Sequence, residues 1–152
     1  MRRFTVGPRR YGRAAAMLLL LLASACSLET KDDGIAVLPN FRNSTDPIPE
    51  PDVPPIVSAE VTAAGLVTTY GQLVTTCATG TLAARAEQQA ENLKLRVIYV
   101  APAGCTPAPT LVDYTIYLSH VPEGTYHYSV VHEGDRQVPT GTAVVQQDIT
   151  VF

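Results

Sequence analysis

The chain has 152 residues, and its 11 Lys and Arg stand against 14 Asp and Glu, which gives a net charge of −3. Five of the basic residues fall within the first thirteen positions, so residues 26–152 keep six basic residues, all fourteen acidic ones and a net charge of −8. Such an acidic chain is a poor candidate for binding nucleic acid, whose phosphates require Lys and Arg, or for electrostatic docking on anionic lipid.

Residues 1–25 have the form of a secretory signal peptide. The basic stretch is followed by an apolar run from Ala14 to Ala25, and about 12 residues are too few to cross a membrane, which needs about 20. The run ends in Ala23-Ser24-Ala25, and small residues of this kind precede the cleavage site of exported proteins. The sequence therefore predicts export and removal of residues 1–25.

The next residue is Cys26, and Ser24-Ala25-Cys26 resembles the lipobox of bacterial lipoproteins, in which Leu, two small residues and Cys run in order. The nearest leucine, Leu22, stands one place early, with Ala23 in the position of the preferred Leu. The resemblance implies that Cys26 carries a diacylglyceryl thioether. It also implies anchoring in a membrane of the cell envelope, either the outer membrane or a periplasm-facing leaflet if the cell is Gram-negative. Plain cleavage after Ala25, which leaves Cys26 as a free thiol, is the alternative.

The other two cysteines are Cys77 and Cys105, which lie 28 positions apart. In an exported protein we expect them to form a disulfide, which in the loop-entropy model contributes about 3.5 kcal/mol of stability. Cys26 is then the odd cysteine, and acylation would account for it. The alternative, a metal site at Cys77 and Cys105, lacks the closely spaced pairs typical of zinc sites.

Residues 26–55 are predicted to be the lipidated N-terminus followed by a linker. The stretch contains four Asp and six prolines, and proline favours extended conformations without backbone donors; the prolines are Pro39, Pro47, Pro49, Pro51, Pro54 and Pro55. We expect residues 27–50 to be mobile and to act as a spacer between membrane and domain. The alternative is that the apolar patch from Ile35 to Leu38 is a strand that docks on the domain.

Residues 56–152 are predicted to form one small antiparallel β-sandwich. Apolar residues alternate with polar ones in several runs, as in half-buried strands, and Gly and Pro turns separate the runs. The apolar sides of these runs are Leu93/Leu95/Val97/Tyr99, Tyr114/Ile116/Leu118, Tyr126/Tyr128/Val130 and Ile149/Val151. We expect Tyr99, Tyr114, Tyr126 and Tyr128 to be in the core and Tyr70 and Tyr117 to be exposed.

The segment from Thr81 to Leu95 is ambiguous because it is rich in helix-forming residues. A helix would present a thin apolar stripe. A β-hairpin would instead place Leu82, Ala84 and Ala86 inward and turn back within residues 88–92. We favour the hairpin because the following residues, Val97–Tyr99, are typical of a strand.

The stretch VPEGTYHYSVV, residues 121–131, resembles the "L-P-x-G-x-Y-x-x-x-V" corner of bacterial Ig-like and prealbumin-like sandwiches. Val121, Pro122, Gly124, Tyr126 and Val130 carry the match, and the similarity extends over about 40 residues, from Asp113 to Phe152. The resemblance implies an Ig-like or prealbumin-like sandwich. In such corners the glycine permits a tight bend and the tyrosine hydroxyl bonds to nearby backbone. The chain departs from true immunoglobulin domains because it has no Trp.

No catalytic or metal-binding motif is apparent in the sequence. His127 and His132 are five apart, so on one strand they face opposite sides and cannot share a metal. The run that begins at His132 starts like H-E-x-x-H but has no second histidine. Neither Ser119 nor Ser129 lies in a G-x-S-x-G elbow.

We therefore expect a non-enzymatic binding or structural module at the cell envelope, with no cofactor and with a possible protein partner. The alternative is a periplasmic protein that carries a small ligand or a metal through His120 or His132. An enzyme is the third possibility, and it would require a Ser, a His and an Asp to converge in a cleft.

Overall fold

The computed structural model of the chain describes residues 34–50 and 53–152, which form an all-β structure of eight strands. The strands are β1 (Ala36–Asn43), β2 (Val57–Ala63), β3 (Leu66–Thr75), β4 (Thr81–Gln89), β5 (Asn92–Val100), β6 (Thr110–Ser119), β7 (Gly124–Glu133) and β8 (Ala143–Val151). In this part of the chain no helix is long and apolar enough to cross a membrane. The predicted signal peptide and Cys26 lie outside the described residues.

The strands form two four-stranded sheets, which confirms the predicted β-sandwich. Sheet A has the order β1-β6-β3-β2 and sheet B the order β4-β5-β7-β8. Among the described strands, β5 and β7 are parallel neighbours, whereas the other neighbours are antiparallel. The arrangement departs here from the expected antiparallel one. After β5 the chain crosses to sheet A, where it forms β6, and then returns to sheet B as β7. Because of this crossover, β7 runs in the same direction as β5.

The inward faces of the two sheets form one apolar core. The alternating runs predicted from the sequence all point inward, and their apolar side chains are buried. The four tyrosines expected in the core, Tyr99, Tyr114, Tyr126 and Tyr128, are each at most 6% exposed. Gly71 on β3 makes room for one of them, because a side-chain carbon at position 71 would collide with the Tyr114 ring.

The ambiguous segment is a β-hairpin, as predicted. Strands β4 and β5 pair antiparallel, and Leu82, Ala84 and Ala86 pack against the core. The turn consists of Ala90 and Glu91, and Ala90 has a φ of 52°. An alanine in this left-handed conformation is uncommon, because its Cβ approaches the backbone closely.

Part of the predicted linker belongs to the sandwich. Residues Ala36–Asn43 form strand β1, which pairs antiparallel with β6 along its whole length. Val37 and Phe41 are partly buried against the core, so the strand is held by apolar packing as well as by backbone hydrogen bonds. The expectation of a mobile linker is therefore wrong for these residues, and the alternative of a docked strand is correct.

The proline content of this segment predicted a linker, although the segment forms a strand. Pro39 lies in β1, and β1 is an edge strand of sheet A. An edge strand tolerates proline because one of its sides needs no backbone partner. Residues 27–33 lie outside the described part of the chain, so the expectation that they are mobile stays a prediction.

Cys77 and Cys105 lie at disulfide-bonding distance, with their Cα atoms 6.4 Å apart. Cys77 follows β3, and Cys105 is in the loop between β5 and β6. The hydroxyl of Tyr99 donates to the carbonyl oxygens of Cys77 (3.1 Å) and Thr79 (2.8 Å). The hydrogen bonds of Tyr99 thus hold the end of the sandwich at which the cysteine pair lies.

The turn between β6 and β7 contains the hydrogen bond that the corner resemblance implies. The Tyr126 hydroxyl donates to the carbonyl oxygen of Pro122 at 2.9 Å. Gly124 has a φ of 154°, and the Tyr126 ring lies 3.6 Å from the place where a Cβ would be. The roles expected for Gly124 and Tyr126 are therefore confirmed.

Candidate binding surfaces

The three histidines lie in different environments. His120 is exposed in the turn after β6, His127 is exposed on the outer face of sheet B, and His132 is fully buried. The predicted opposite orientation of His127 and His132 on β7 is confirmed. Within residues 34–50 and 53–152, no group of three or more His, Cys, Asp or Glu side chains is arranged to hold a metal ion.

His132 is the centre of a buried polar network. Its Nδ1 lies 2.7 Å from Asp135 Oδ2, and its Nε2 lies 2.9 Å from the Tyr114 hydroxyl. Burial, with smaller effects of Tyr128 and Asp135, raises the pKa of Tyr114 far above its usual range. Tyr114 therefore keeps its proton, and we assign it as donor to Nε2 while Nδ1–H donates to the carboxylate. Both ring nitrogens of His132 are thus occupied, so His132 is not available as a metal ligand.

The second carboxylate oxygen of Asp135 anchors the loop after β7 to strand β3. Asp135 Oδ1 accepts hydrogen bonds from the backbone N–H groups of Gln137 (2.8 Å) and Val74 (3.4 Å), and Arg136 N–H donates to Val74 O at 2.8 Å. A second buried pair, the Thr69 and Tyr128 hydroxyls at 2.7 Å, connects the two sheets.

The Tyr114–His132–Asp135 arrangement resembles a proton-transfer site, but the protein encloses it. The side chains of His132 and Asp135 have no solvent exposure, whereas a general acid or base must reach the group whose proton it transfers. A buried network in which every polar atom has a partner instead holds the surrounding elements in one arrangement. We therefore assign this network a structural role.

The outer face of sheet A carries three large exposed side chains, Leu38, Tyr70 and Tyr117, which we call the aromatic face. They are 61%, 41% and 39% exposed. The register brings them together: Leu38 on β1 is opposite Tyr117 on β6, and Tyr70 on β3 lies diagonally across from Tyr117. The predicted exposure of both tyrosines is confirmed.

Acidic groups surround the aromatic face. Partial desolvation, followed by the Glu60 carboxylate and Tyr117, raises the pKa of Tyr70. On the other side Asp113 binds Arg42 at 3.4 Å and accepts a hydrogen bond from the Gln72 amide at 2.8 Å. The positive charge of Arg42 is therefore balanced by the negative charge of Asp113. The carboxylate of Glu60 has no such counterpart among these groups, so together they give the aromatic face a net negative charge.

The outer face of sheet B carries two groups of paired charges. Arg96 bridges Glu87 and Glu133, with nitrogen–oxygen distances of 2.8 Å and 2.5 Å, and the two carboxylates raise the pKa of Arg96. Towards the other end of the sheet, His127 Nδ1 lies 2.6 Å from Asp148 Oδ1, and both side chains are exposed. They line an open cleft of about 510 Å³ together with Asn92, Ser129 and Gln146, which we call the polar cleft.

The polar cleft brings together a Ser, a His and an Asp, but it does not complete a hydrolase site. Among the described side chains, no hydrogen bond joins Ser129 to His127, which is two residues away on β7. Strand β7 pairs with β5 on one side and β8 on the other, so its backbone N–H groups are used in the sheet. A tetrahedral oxyanion would need such donors to be free.

Several of these residues could not be assigned from the sequence. The sequence analysis assigned Leu38 to the predicted linker. The hydrogen bond between Asp148 and His127 depends on the pairing of β7 with β8. The H-E-G-D run did place Asp135 three residues after His132, but only as a turn. Comparisons of the chain with protein-family models, with curated proteins and with solved structures found no match.

Proposed function

We propose that this chain is an exported, lipid-anchored, non-enzymatic β-sandwich module that binds a partner at the cell envelope through the aromatic face. The observation that carries the proposal is the joint exposure of Leu38, Tyr70 and Tyr117 on one side of sheet A. Tyrosine is enriched at protein interfaces because its ring buries a large area while its hydroxyl keeps a hydrogen bond. The resemblance of residues 22–26 to a lipobox supplies the anchor in this proposal.

The charges around the aromatic face favour a basic protein segment as the partner. Glu60 lies beside Tyr70 and its charge acts on the hydroxyl, and residues 26–152 carry a net charge of −8. A Lys or Arg on the partner can lie over a tyrosine ring and pair with Glu60, which combines cation–π and charge attraction. An apolar side chain of the partner would then cover Leu38.

The alternative of a metal carrier loses support from the geometry of His132, because both of its ring nitrogens already have hydrogen-bond partners. His120 alone would offer one imidazole, and a stable site needs several ligands. An Ig-like or prealbumin-like relationship remains part of the proposal, supported by the Tyr126–Pro122 bond.

A photocrosslinking amino acid in the full-length protein tests the binding surface in the intact envelope. We would place it at position 117 on the aromatic face and, as a control, at position 85 on the outer face of sheet B. We expect a discrete protein adduct from position 117 that is absent from position 85 and is lost when Glu60→Lys is added. Equal adducts from both positions, or an adduct insensitive to Glu60→Lys, would contradict the proposal.

The anchor is tested by the mass of the N-terminal peptide from the native, membrane-extracted protein. We expect a peptide that begins at Cys26 and carries two or three acyl chains. A soluble protein with an unmodified Cys26 would disprove the lipid anchor while leaving the binding surface to be judged by crosslinking.

A further inference from the structure

The polar cleft lies on the side of the sandwich opposite the aromatic face and is independent of it. Three neighbouring strands form its floor, because His127 on β7 lies opposite Asn92 on β5 and Asp148 on β8. Two residues further along β7, on the same face, Ser129 is opposite Gln146 on β8. The cleft volume of about 510 Å³ falls within the range of about 300–1,000 Å³ that is usual for small-molecule sites.

The charges in the cleft balance one another. His127 and Asp148 form a hydrogen-bonded pair at 2.6 Å, and the other side chains named above are neutral amides and a hydroxyl. The charge of Asp148 is balanced by that of Lys94, which lies opposite Ser129 on β5, so the floor of the cleft has no net charge that would select an ionic ligand. An apolar ligand would remove water from these groups without replacing its hydrogen bonds, which is unfavourable.

We propose that the polar cleft binds a neutral, polyhydroxylated ligand, that is, one or two sugar rings of a saccharide. The amides of Asn92 and Gln146 and the hydroxyl of Ser129 can each donate and accept hydrogen bonds. A sugar hydroxyl has the same double capacity, so several adjacent hydroxyls can pair with this set at once. With Nδ1–H of His127 directed to Asp148, Nε2 serves as a further acceptor.

Three side chains of the cleft, those of Asn92, His127 and Asp148, are hydrogen-bonded within the protein before a ligand arrives. Strand β7 is hydrogen-bonded on both sides, the Asn92 amide donates to Gln89 O at 3.4 Å, and Asp148 fixes the imidazole of His127. Such preorganisation lowers the entropy cost of binding.

Isothermal titration of the full-length protein with neutral oligosaccharides tests the proposal. The probes are trisaccharides of glucose, galactose, mannose, xylose and N-acetylglucosamine, with a sulfated trisaccharide and an alkyl maltoside detergent as charged and apolar comparisons. We expect at least one neutral trisaccharide to bind with a dissociation constant of about 1 mM or tighter. Binding weaker than about 10 mM for all five neutral probes, or preferential binding of the sulfated probe or of the alkyl chain, would overturn the proposal.

Variants then assign the binding to the cleft. Gln146→Ala and Asp148→Ala should each weaken binding about tenfold, since each removes one or two hydrogen bonds. Thr81→Ala, on the same face but outside the cleft, should leave the affinity unchanged, and Tyr117→Ala should do so on the opposite face. Saccharide binding that is lost in Tyr117→Ala but kept in Gln146→Ala would disprove the assignment. Far-ultraviolet circular dichroism of each variant verifies that it is folded.

Discussion

His132 Nδ1 and Asp135 Oδ2 form a 2.7 Å hydrogen bond inside the sandwich, and neither side chain is accessible to solvent. On the same strand, His127 Nδ1 and Asp148 Oδ1 form a bond of 2.6 Å on the outer face, where both side chains are largely exposed. The two pairs have the same chemistry and nearly the same length. A comparison of the two pairs therefore separates the effect of burial on protein stability from the effect of hydrogen-bond geometry.

The first prediction is that Asp135→Ala destabilises the protein far more than Asp148→Ala. Loss of the Asp135 carboxylate leaves the His132 N–H and the backbone N–H groups of Gln137 and Val74 without acceptors, which should cost about 3–5 kcal/mol. Loss of the exposed Asp148 should cost less than about 1 kcal/mol. Urea unfolding of the two variants measures both values, and equal losses would contradict the structural role of the buried network.

The second prediction concerns alkaline pH. Burial raises the pKa of both Tyr114 and Tyr128 far above the ordinary value of 10.0. The unfolded chain therefore loses these protons first, so stability is unaffected below about pH 10 and falls as the pH rises above it. Each tyrosine should contribute a decrease of about 1.4 kcal/mol per pH unit.

Unfolding by urea between pH 8 and 11.5 measures this decrease, and absorbance at 295 nm shows when the tyrosines ionise. Tyr128→Phe should reduce the slope by about half. A stability that does not change up to pH 11.5, or ionisation of all tyrosines in the folded state, would contradict the prediction.

The third prediction is a covalent bond between Cys77 and Cys105. Alkylation of the unreduced, unfolded protein should modify neither residue, and Cys105→Ser should lower the free energy of unfolding by about 3.5 kcal/mol. The measurements are the mass of the alkylated peptides and urea unfolding with and without reductant. Two alkylated thiols in the oxidised protein would disprove the bond.

The fourth prediction is that Ala90→Gly stabilises the protein. Ala90 has a φ of 52° in the β4–β5 turn, where glycine avoids a steric cost that exceeds its own loss of chain entropy, so we expect a gain of about 0.5 kcal/mol. The control is Ala84→Gly, within β4 and packed against the core, which should destabilise by at least about 1 kcal/mol. A loss of stability in both variants would contradict the strain assigned to Ala90.

The fifth prediction tests the corner between β6 and β7. Tyr126→Phe removes the hydroxyl that donates to Pro122 O and should cost about 1 kcal/mol. Tyr117→Phe removes an exposed hydroxyl and should change stability by less than about 0.5 kcal/mol. Thermal or urea unfolding compares the two, and an unchanged stability in Tyr126→Phe would show that the corner bond is dispensable.

Much of the fold could be predicted from residues close together in the sequence. Alternation with period two identified the inward side of β5 and of the following strands, since neighbouring side chains on a strand point to opposite faces. The same reasoning separated Tyr114 and Tyr128, in the core, from Tyr117, which is exposed. The resemblance of residues 121–131 to a known sandwich corner implied a hydrogen bond from the Tyr126 hydroxyl to nearby backbone, and the structure contains it.

The candidate surfaces could be predicted only in part, because they depend on which strands become neighbours. Tyr70 and Tyr117 were expected to be exposed, but their position next to Leu38 requires β1 and β3 to lie on the two sides of β6. Asp148 meets His127 only through the β7–β8 register. Composition predicted a linker at Ala36–Asn43 because it does not take into account the apolar surface that the sandwich offers to this strand.

The sequence by itself thus determined the all-β class, the inward face of each alternating run and the turns between them, because these follow from steric preferences of a few adjacent residues. Only the tertiary structure decided the parallel pairing of β5 with β7, the inclusion of β1 and the two outer faces on which binding is proposed. These features arise from contacts between strands far apart in the chain, whose free energy depends on the packing of both sheets at once.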